Sequence, residues 1–92
     1  GRPRRIDDVL LVNNLEREIR IRKQLALIPI NVFELRLKLG LNQSEFASKI
    51  GLSGNNYCHY ESGDRQFPLG VLLSICEECN VKLDDLIDSK GR

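Results

Sequence analysis

The chain has 92 residues, which suffice for one small domain with a modest core. Its hydrophobic content of 41% is typical of a globular protein, and no apolar run reaches the roughly 18 residues that a membrane span needs. No secretory signal peptide is evident, and three cysteines cannot all pair with one another, so we expect a reduced protein of the cytoplasm.

The formal net charge is only +1, but the charges are unevenly distributed. Residues 1–40 contain nine Lys or Arg and five Asp or Glu, a net of +4, whereas residues 41–92 contain five and eight, a net of −3. If the C-terminal half binds nucleic acid, the attraction to phosphate must come from a few local cations, from helix N-termini or from the basic N-terminal segment.

Residues 1–28 are predicted to form a basic arm followed by an amphipathic segment. The arm, residues 2–5, places three arginines around Pro3 and is interpreted as a solvated tail, because runs of charge at chain ends commonly have no specific role. Insertion of these arginines into a minor groove of DNA is the alternative.

The amphipathic segment, residues 6–28, carries an apolar stripe at helical spacing, formed by Leu11, Leu15 and Ile19. The alternation from Ile19 to Arg22 would also fit a strand, but the longer stripe favours a helix. Such a helix can pack on the domain that follows or associate with a second copy of the chain, and we favour the second copy. Docking of a different protein on residues 6–28 is a further alternative.

Residues 29–92 are predicted to form a separate helical domain that begins at Pro29. Proline is harmless in the first turn of a helix, so we expect a helix to start near Ile30. Apolar residues then follow at helical spacing, at Val32, Leu35 and Leu39.

Residues 42–63 are predicted to form two short helices joined by a tight turn. Asn42 is placed as an N-cap with Glu45 three residues later, a spacing that satisfies free amide groups at a helix start. Gly51 is expected to end this helix and Ser53 to cap the next. The inner faces of the pair carry Phe46, Ala47, Ile50, Tyr57 and Tyr60. This arrangement is typical of a helix-turn-helix.

Two more helices are expected to complete the domain. Pro68 is placed at the start of the first, and Asn80 ends it. Its apolar stripe comprises Val71, Leu72, Ile75, Cys76 and Cys79, and the last helix contributes Leu83, Leu86 and Ile87. The predicted fold is therefore all-α: a compact five-helix bundle with a helix-turn-helix, preceded by the amphipathic segment.

The sequence from Leu39 to Ser53, followed by Tyr60-Glu-Ser-Gly63, resembles the DNA-binding domain of the Cro and lambda-repressor-like family, also called the XRE family. The similarity runs from about Leu35 to Ile87. It implies a sequence-specific regulator of transcription, with repression as the expected outcome. The helix starting near Gly54 would read the major groove of double-stranded DNA, and a homodimer would present two such helices about 34 Å apart.

The resemblance also assigns roles to individual residues. The base contacts that it implies are Gln43, Asn55, Asn56 and His59. An asparagine amide can bind adenine N6 and N7 together, which makes Asn55 and Asn56 the most informative of these. The phosphate contacts that it implies are Asn42, Ser53 and Arg65, to which the charge distribution adds Lys49. Arg36 and Glu61 match a structural ion pair of the family.

Other chemistry is less well supported by the sequence. Four potential zinc ligands are present in the sequence: Cys58, His59, Cys76 and Cys79. Because Cys76 and Cys79 fall on an apolar stripe, we interpret them as core residues. We therefore predict no metal and no cofactor. With one histidine and no glycine-rich phosphate loop, we predict no enzymatic activity. The alternative function is a protein-interaction module of antitoxin or adaptor type on the same fold, which the net negative charge of the second half favours.

Overall fold

The computed structural model describes the backbone of residues 5–88 and the side chains of residues 9–88. Within this range there are five helices and no strand: α1 (Arg5–Leu39), α2 (Gln43–Lys49), α3 (Gly54–Glu61), α4 (Leu69–Cys79) and α5 (Leu83–Ile87). The predicted all-α fold with a helix-turn-helix is confirmed. Across the same residues, no helix is long and apolar enough to cross a membrane.

Helix α1 runs without a break through Pro29, so the prediction that a helix starts near Ile30 is wrong. Proline has no N–H to donate to the carbonyl of Leu25, and a proline inside a helix costs about 3 kcal/mol. The neighbouring residues Ile28 and Val32 are buried in the domain core and hold the two flanking turns in one helix. Tertiary packing thus overrides the local preference that proline expresses.

The N-terminal part of α1 projects away from the other helices. Every residue from Val9 to Ala26 is exposed, and Ile28 is the first buried one. The helix predicted for residues 6–28 is confirmed, but within the described residues it does not pack back on the domain. The whole molecule measures 62 × 26 × 19 Å, which reflects this projection.

The core forms where the inner faces of the helices meet. Its largest fully buried apolar side chains are Val32, Phe46, Tyr57, Ile75 and Leu86. The ring centroids of Phe46 and Tyr57 lie 5.3 Å apart. At this distance an aromatic pair stabilises a fold by more than the burial of its apolar area alone. This contact fixes α2 against α3, the two helices of the motif.

The caps predicted for α2 and α3 are confirmed. The Asn42 side chain accepts from the Glu45 amide at 2.8 Å, and the Glu45 carboxylate accepts from the Asn42 amide at 2.9 Å. The Ser53 hydroxyl accepts from the Asn56 amide at 3.1 Å. Gly51 has a φ of +82°, which glycine adopts without steric cost, and it follows the end of α2. Local sequence therefore sets both ends of the turn.

Helix α4 begins after Pro68 and ends at Asn80, as predicted. Asn80 adopts the left-handed conformation with φ 56°, which asparagine tolerates better than most residues. In the middle of α4 the Ser74 hydroxyl donates to the Ile50 carbonyl at 3.0 Å. This bond ties α4 to the C-terminal end of α2.

A buried asparagine of α1 holds the last helix in place. The Asn31 amide nitrogen donates to the carbonyls of Leu86 and Asp88 at 2.8 Å each. Carbonyl groups at the C-terminal end of a helix have no intrahelical partner, so Asn31 satisfies two that α5 leaves free. An asparagine within a helix carries no local signal of such a partner 55 residues away.

Candidate nucleic-acid interface

Helices α2 and α3 are joined by the short turn predicted from the sequence. The Leu52 amide donates to the Ala47 carbonyl at 2.8 Å, which folds the chain back after α2. At the start of α3, a Cβ added to Gly54 would lie 3.8 Å from the Ser44 Cα, so the two helices come into contact there. The turn therefore presents the first residues of α3 to solvent while its later residues pack on the core.

The exposed first turn of α3 carries two asparagines. Both Asn55 and Asn56 are exposed, whereas Tyr57, which follows them, is fully buried. Within the described part of the chain, neither asparagine side chain forms a hydrogen bond. Each carboxamide thus offers its N–H donors and its carbonyl acceptor to a ligand approaching α3.

One turn further along α3, His59 contacts an acidic residue of the following loop. Its Nδ1 lies 2.9 Å from the Asp64 Oδ2, and its side chain is 37% exposed. The loop folds back because the Arg65 amide donates to the His59 carbonyl at 3.1 Å. No local pattern in the sequence indicates this contact with Asp64. It leaves Nε2 as the ring nitrogen available to a ligand.

Behind this surface, a carboxylate receives donors from three helices. The Arg36 Nε lies 2.7 Å from the Glu61 Oε2, and the Arg36 Nη2 lies 3.0 Å from Oε1. Gln43 Nε2 donates to the same Oε1 at 2.8 Å, and the Tyr57 hydroxyl donates to Oε2. The remaining Arg36 nitrogen, Nη1, donates to the Leu41 carbonyl at 2.8 Å. We call Arg36, Gln43, Tyr57 and Glu61 the Glu61 cluster.

The Glu61 cluster is mostly removed from water, since the Arg36 and Glu61 side chains are only 11% and 7% exposed. Burial alone would raise the pKa of Glu61, but the hydrogen bonds from Arg36, Tyr57 and Gln43 outweigh it and hold the pKa below 4.5. The hydrogen bond to Glu61 raises the pKa of Arg36. Burial, followed by the bond to Glu61, raises the pKa of Tyr57 well above 10.0. The pair is therefore ionised at neutral pH while the tyrosine is not.

Gln43, to which the family resemblance assigns a base contact, donates from its amide nitrogen to Glu61 within the cluster. Tyr57 was predicted only as a core residue. Tyr57 and Glu61 are four residues apart on one helix, a spacing that brings side chains together and could have revealed their contact. The bond from Gln43 crosses from α2 to α3 and has no such local signal.

The residues predicted to contact phosphate lie around the two motif helices. Lys49, in the last turn of α2, and Arg65, in the loop after α3, are both exposed. Asn42 and Ser53 use a side-chain oxygen as a cap acceptor, and each retains a donor for an anion. The Glu45 carboxylate lies beside the first residues of α2 and opposes an anion there.

The cysteines are reduced and do not gather at one point. Cys58 is exposed on α3, whereas Cys76 and Cys79 are partly buried and pack against the core. Burial raises the pKa of both α4 thiols, which favours their protonated form. Among the described residues, no three or more His, Cys, Asp or Glu side chains are arranged to hold a metal ion.

Comparison with known families agrees with this geometry. A family model described as helix-turn-helix matches residues 32–86, from the buried part of α1 to α5. No curated protein and no solved structure matches the chain. The matched range contains the Glu61 cluster and both motif helices, and it leaves out the projecting part of α1. Because the match covers more than half of the sequence, the chain belongs to the Cro/C1-type helix-turn-helix family, the XRE family of DNA-binding regulators.

Proposed function

We propose that this protein is a sequence-specific regulator that inserts α3 into the major groove of double-stranded DNA and acts as a repressor. The observation that carries the proposal is the pair of exposed carboxamides, Asn55 and Asn56, at the start of α3. Both asparagines lie on the exposed side of α3, and the other side of this helix is held in place by the Glu61 cluster. A rigid helix with free amides at its N-terminal end suits direct reading of base edges. No catalytic role is assigned.

Each proposed base contact has a distinct chemistry. Asn55 and Asn56 can each donate to adenine N7 and accept from adenine N6. His59 offers Nε2, because Nδ1 contacts Asp64. Gln43 uses one of its two amide N–H groups on Glu61, and its carbonyl oxygen would accept from adenine N6 or cytosine N4.

Phosphate contacts are proposed for Asn42, Lys49, Ser53 and Arg65. Only Lys49 and Arg65 among them carry a positive charge, and Glu45 and Asp64 lie close to the same surface. Electrostatic attraction from a single subunit is therefore weak. A homodimer doubles the number of contacts and places two recognition helices about 34 Å apart on a near-palindromic site.

The projecting part of α1 and the matched region are proposed to have different tasks. Residues 1–28 are assigned to association and residues 29–92 to DNA binding, although one helix crosses the boundary between them. Of the basic arm, residues 2–4 lie outside the described residues. We propose the cytoplasm as the compartment, in agreement with three free cysteines.

Selection of bound sequences from random duplex DNA tests the proposal directly. We expect enrichment of two related half-sites about one helical turn apart, because two copies of α3 would read them. The alternative, a protein-interaction module, is favoured by the acidic residues near the motif. No enrichment at low salt, with a copurifying protein partner, would support that alternative and count against DNA binding.

A further inference from the structure

Helix α1 has a second apolar face, which is exposed to solvent and whose members Ala26, Ile30 and Phe33 also line a cavity with the loop after α3. Its members follow at intervals of three or four residues between residues 12 and 37: Val12, Leu15, Ile19, Arg22, Ala26, Ile30, Phe33 and Leu37. We call this face the outer stripe. The six large apolar members are between 40% and 55% exposed, and Arg22 is the single charged residue among them.

The outer stripe needs a long apolar partner. It extends over about 37 Å of helix at 1.5 Å per residue. Apart from Arg22 the outer stripe is apolar, and large exposed apolar patches are rare on monomeric proteins and mark interaction sites. Between Val12 and Ala26 the intervals are three, four, three and four, the heptad repeat with which two helices wrap around each other.

We propose that a second copy of this chain covers the outer stripe, with α1 pairing in parallel with α1 of the partner subunit. The inference deepens the proposed homodimer and rests on it, but it does not depend on which DNA is bound. Val12 and Ile19 occupy the first heptad position and Leu15 the fourth. β-Branched residues at the first position with leucine at the fourth favour two parallel strands.

The charges beside the outer stripe select the same orientation. In a parallel pair, Glu18 lies next to the position five residues later on the other helix, which is Lys23 of the partner subunit, and symmetry forms this contact twice. An antiparallel pair that keeps Leu15 opposite Ile19 would instead bring Glu16 close to Glu16 of the partner subunit. It would also bring Glu18 close to Glu18 of the partner subunit. Attraction favours the first arrangement, and repulsion disfavours the second.

Arg22 sets the strength of this interface. It occupies the fourth heptad position, and its Nε and Nη2 lie 3.0 and 2.5 Å from Oε2 of Glu18 in the same helix. A charged residue in the seam fixes the register and weakens the association. Arg22→Leu is therefore expected to tighten the dimer.

The test is sedimentation equilibrium of the full chain without DNA, over a range of concentrations. We expect a reversible dimer whose dissociation constant rises at least about tenfold for Ile19→Lys, because two buried isoleucines are lost from the seam. Ile21→Lys is the matched control, since Ile21 is 48% exposed against 53% for Ile19 but lies off the outer stripe. A monomer at all concentrations, or equal loss in both variants, would overturn the proposal.

Orientation is tested with Leu15→Cys in a Cys58→Ser background under mild oxidation. Parallel pairing brings the two introduced cysteines together and gives a disulfide-linked dimer, whereas Ile21→Cys in the same background stays monomeric on a denaturing gel. Absence of the Leu15→Cys dimer would overturn the parallel arrangement. If the dimer forms but no DNA sequence is selected, the proposed DNA binding is wrong and the pairing of α1 is not affected. If the Ile19→Lys variant is monomeric but still prefers the selected half-site, DNA binding is supported independently of the dimer.

Discussion

The residues of the site fall into two groups: those that fix the position of α3 in the fold, and those that α3 exposes on its surface. The Glu61 carboxylate accepts from Arg36 of α1, Gln43 of α2 and Tyr57 of α3. One buried anion thus fixes three helices, and it lies just behind the surface that carries Asn55. Substitutions in the first group are expected to alter stability, and those in the second to alter base preference.

Glu61→Gln is expected to lower the free energy of unfolding by about 3–5 kcal/mol, because Arg36 would remain buried without an anion. Urea unfolding at pH 7 measures the change. Glu77→Gln, at an exposed position on α4, is the control and should stay within about 0.5 kcal/mol of the native chain. A loss below about 1 kcal/mol for Glu61→Gln would show that the cluster does not depend on its charge.

The same residue predicts a pH dependence. Its pKa is lower in the folded state, so near pH 4 the unfolded chain binds more protons at Glu61 than the folded one. The stabilisation is complete above the unfolded pKa of about 4.3 and is lost as the pH falls through the lower folded pKa. Between about pH 3 and 7, the free energy of unfolding should decrease less steeply with falling pH in Glu61→Gln than in the native chain. Equal pH dependence in the two proteins would contradict the prediction.

Asn55→Ala is expected to cost about 1–3 kcal/mol of binding at one base pair of each half-site and to relax the preference there. Competition binding with all four base pairs at that position measures the effect. Asn13→Ala, on the exposed projecting part of α1, is the matched control with no expected change. An unchanged base preference in Asn55→Ala would remove this residue from the base contacts.

At the scale of the helices, some helix ends are determined by nearby residues and others by packing against residues far along the chain. Asn42, Gly51 and Ser53 set the ends of α2 and α3 through contacts within a few residues, so sequence alone could place the motif. Pro29 has an equally strong local preference, yet α1 continues through it because Ile28 and Val32 are both buried in the domain core. That outcome depends on residues far along the chain.

The candidate site divides in the same way. The exposure of Asn55 and Asn56 followed from the spacing of apolar residues on α3, which places Tyr57 inside. The contact of His59 with Asp64 and the bond from Gln43 to Glu61 could not be predicted, because they depend on the path of a loop and on the packing of two helices. Which bases these residues contact stays a prediction.

Pro29→Ala is expected to raise the free energy of unfolding by about 1–3 kcal/mol, since alanine restores an amide donor to the middle of α1. Thermal unfolding followed by circular dichroism measures the change. Lys38→Ala, at an exposed site of the same helix, is the control and should have little effect. A less stable Pro29→Ala protein would mean that the apolar contacts of the proline ring outweigh the missing hydrogen bond.

For the molecule as a whole, the placement of charge decides how it can bind DNA. The total charge is only +1, and residues 41–92 carry a net of −3. Attraction to phosphate must therefore come from few cations, in contrast to a uniformly basic domain. Base contacts and the pairing of two subunits then carry more of the affinity.

DNA affinity is expected to fall with salt, and Lys49→Ala and Arg65→Ala should each reduce the slope of log affinity against log salt by about 1 for each subunit. Fluorescence anisotropy with the selected site between about 50 and 200 mM salt measures the slope. Lys82→Ala, just before α5, is the control and should leave the slope unchanged. A flat response in the native chain would exclude phosphate contacts as a source of affinity.

The bond from Asn31 to the end of α5 also bears on synthesis. Leu86 completes the core, and the two carbonyls that accept from Asn31 belong to residues 86 and 88. A nascent chain whose last helix is still inside the ribosomal tunnel lacks both the buried leucine and these acceptors. The motif helices, though encoded earlier, are therefore expected to reach their final packing only once translation has passed α5 and the segment has emerged.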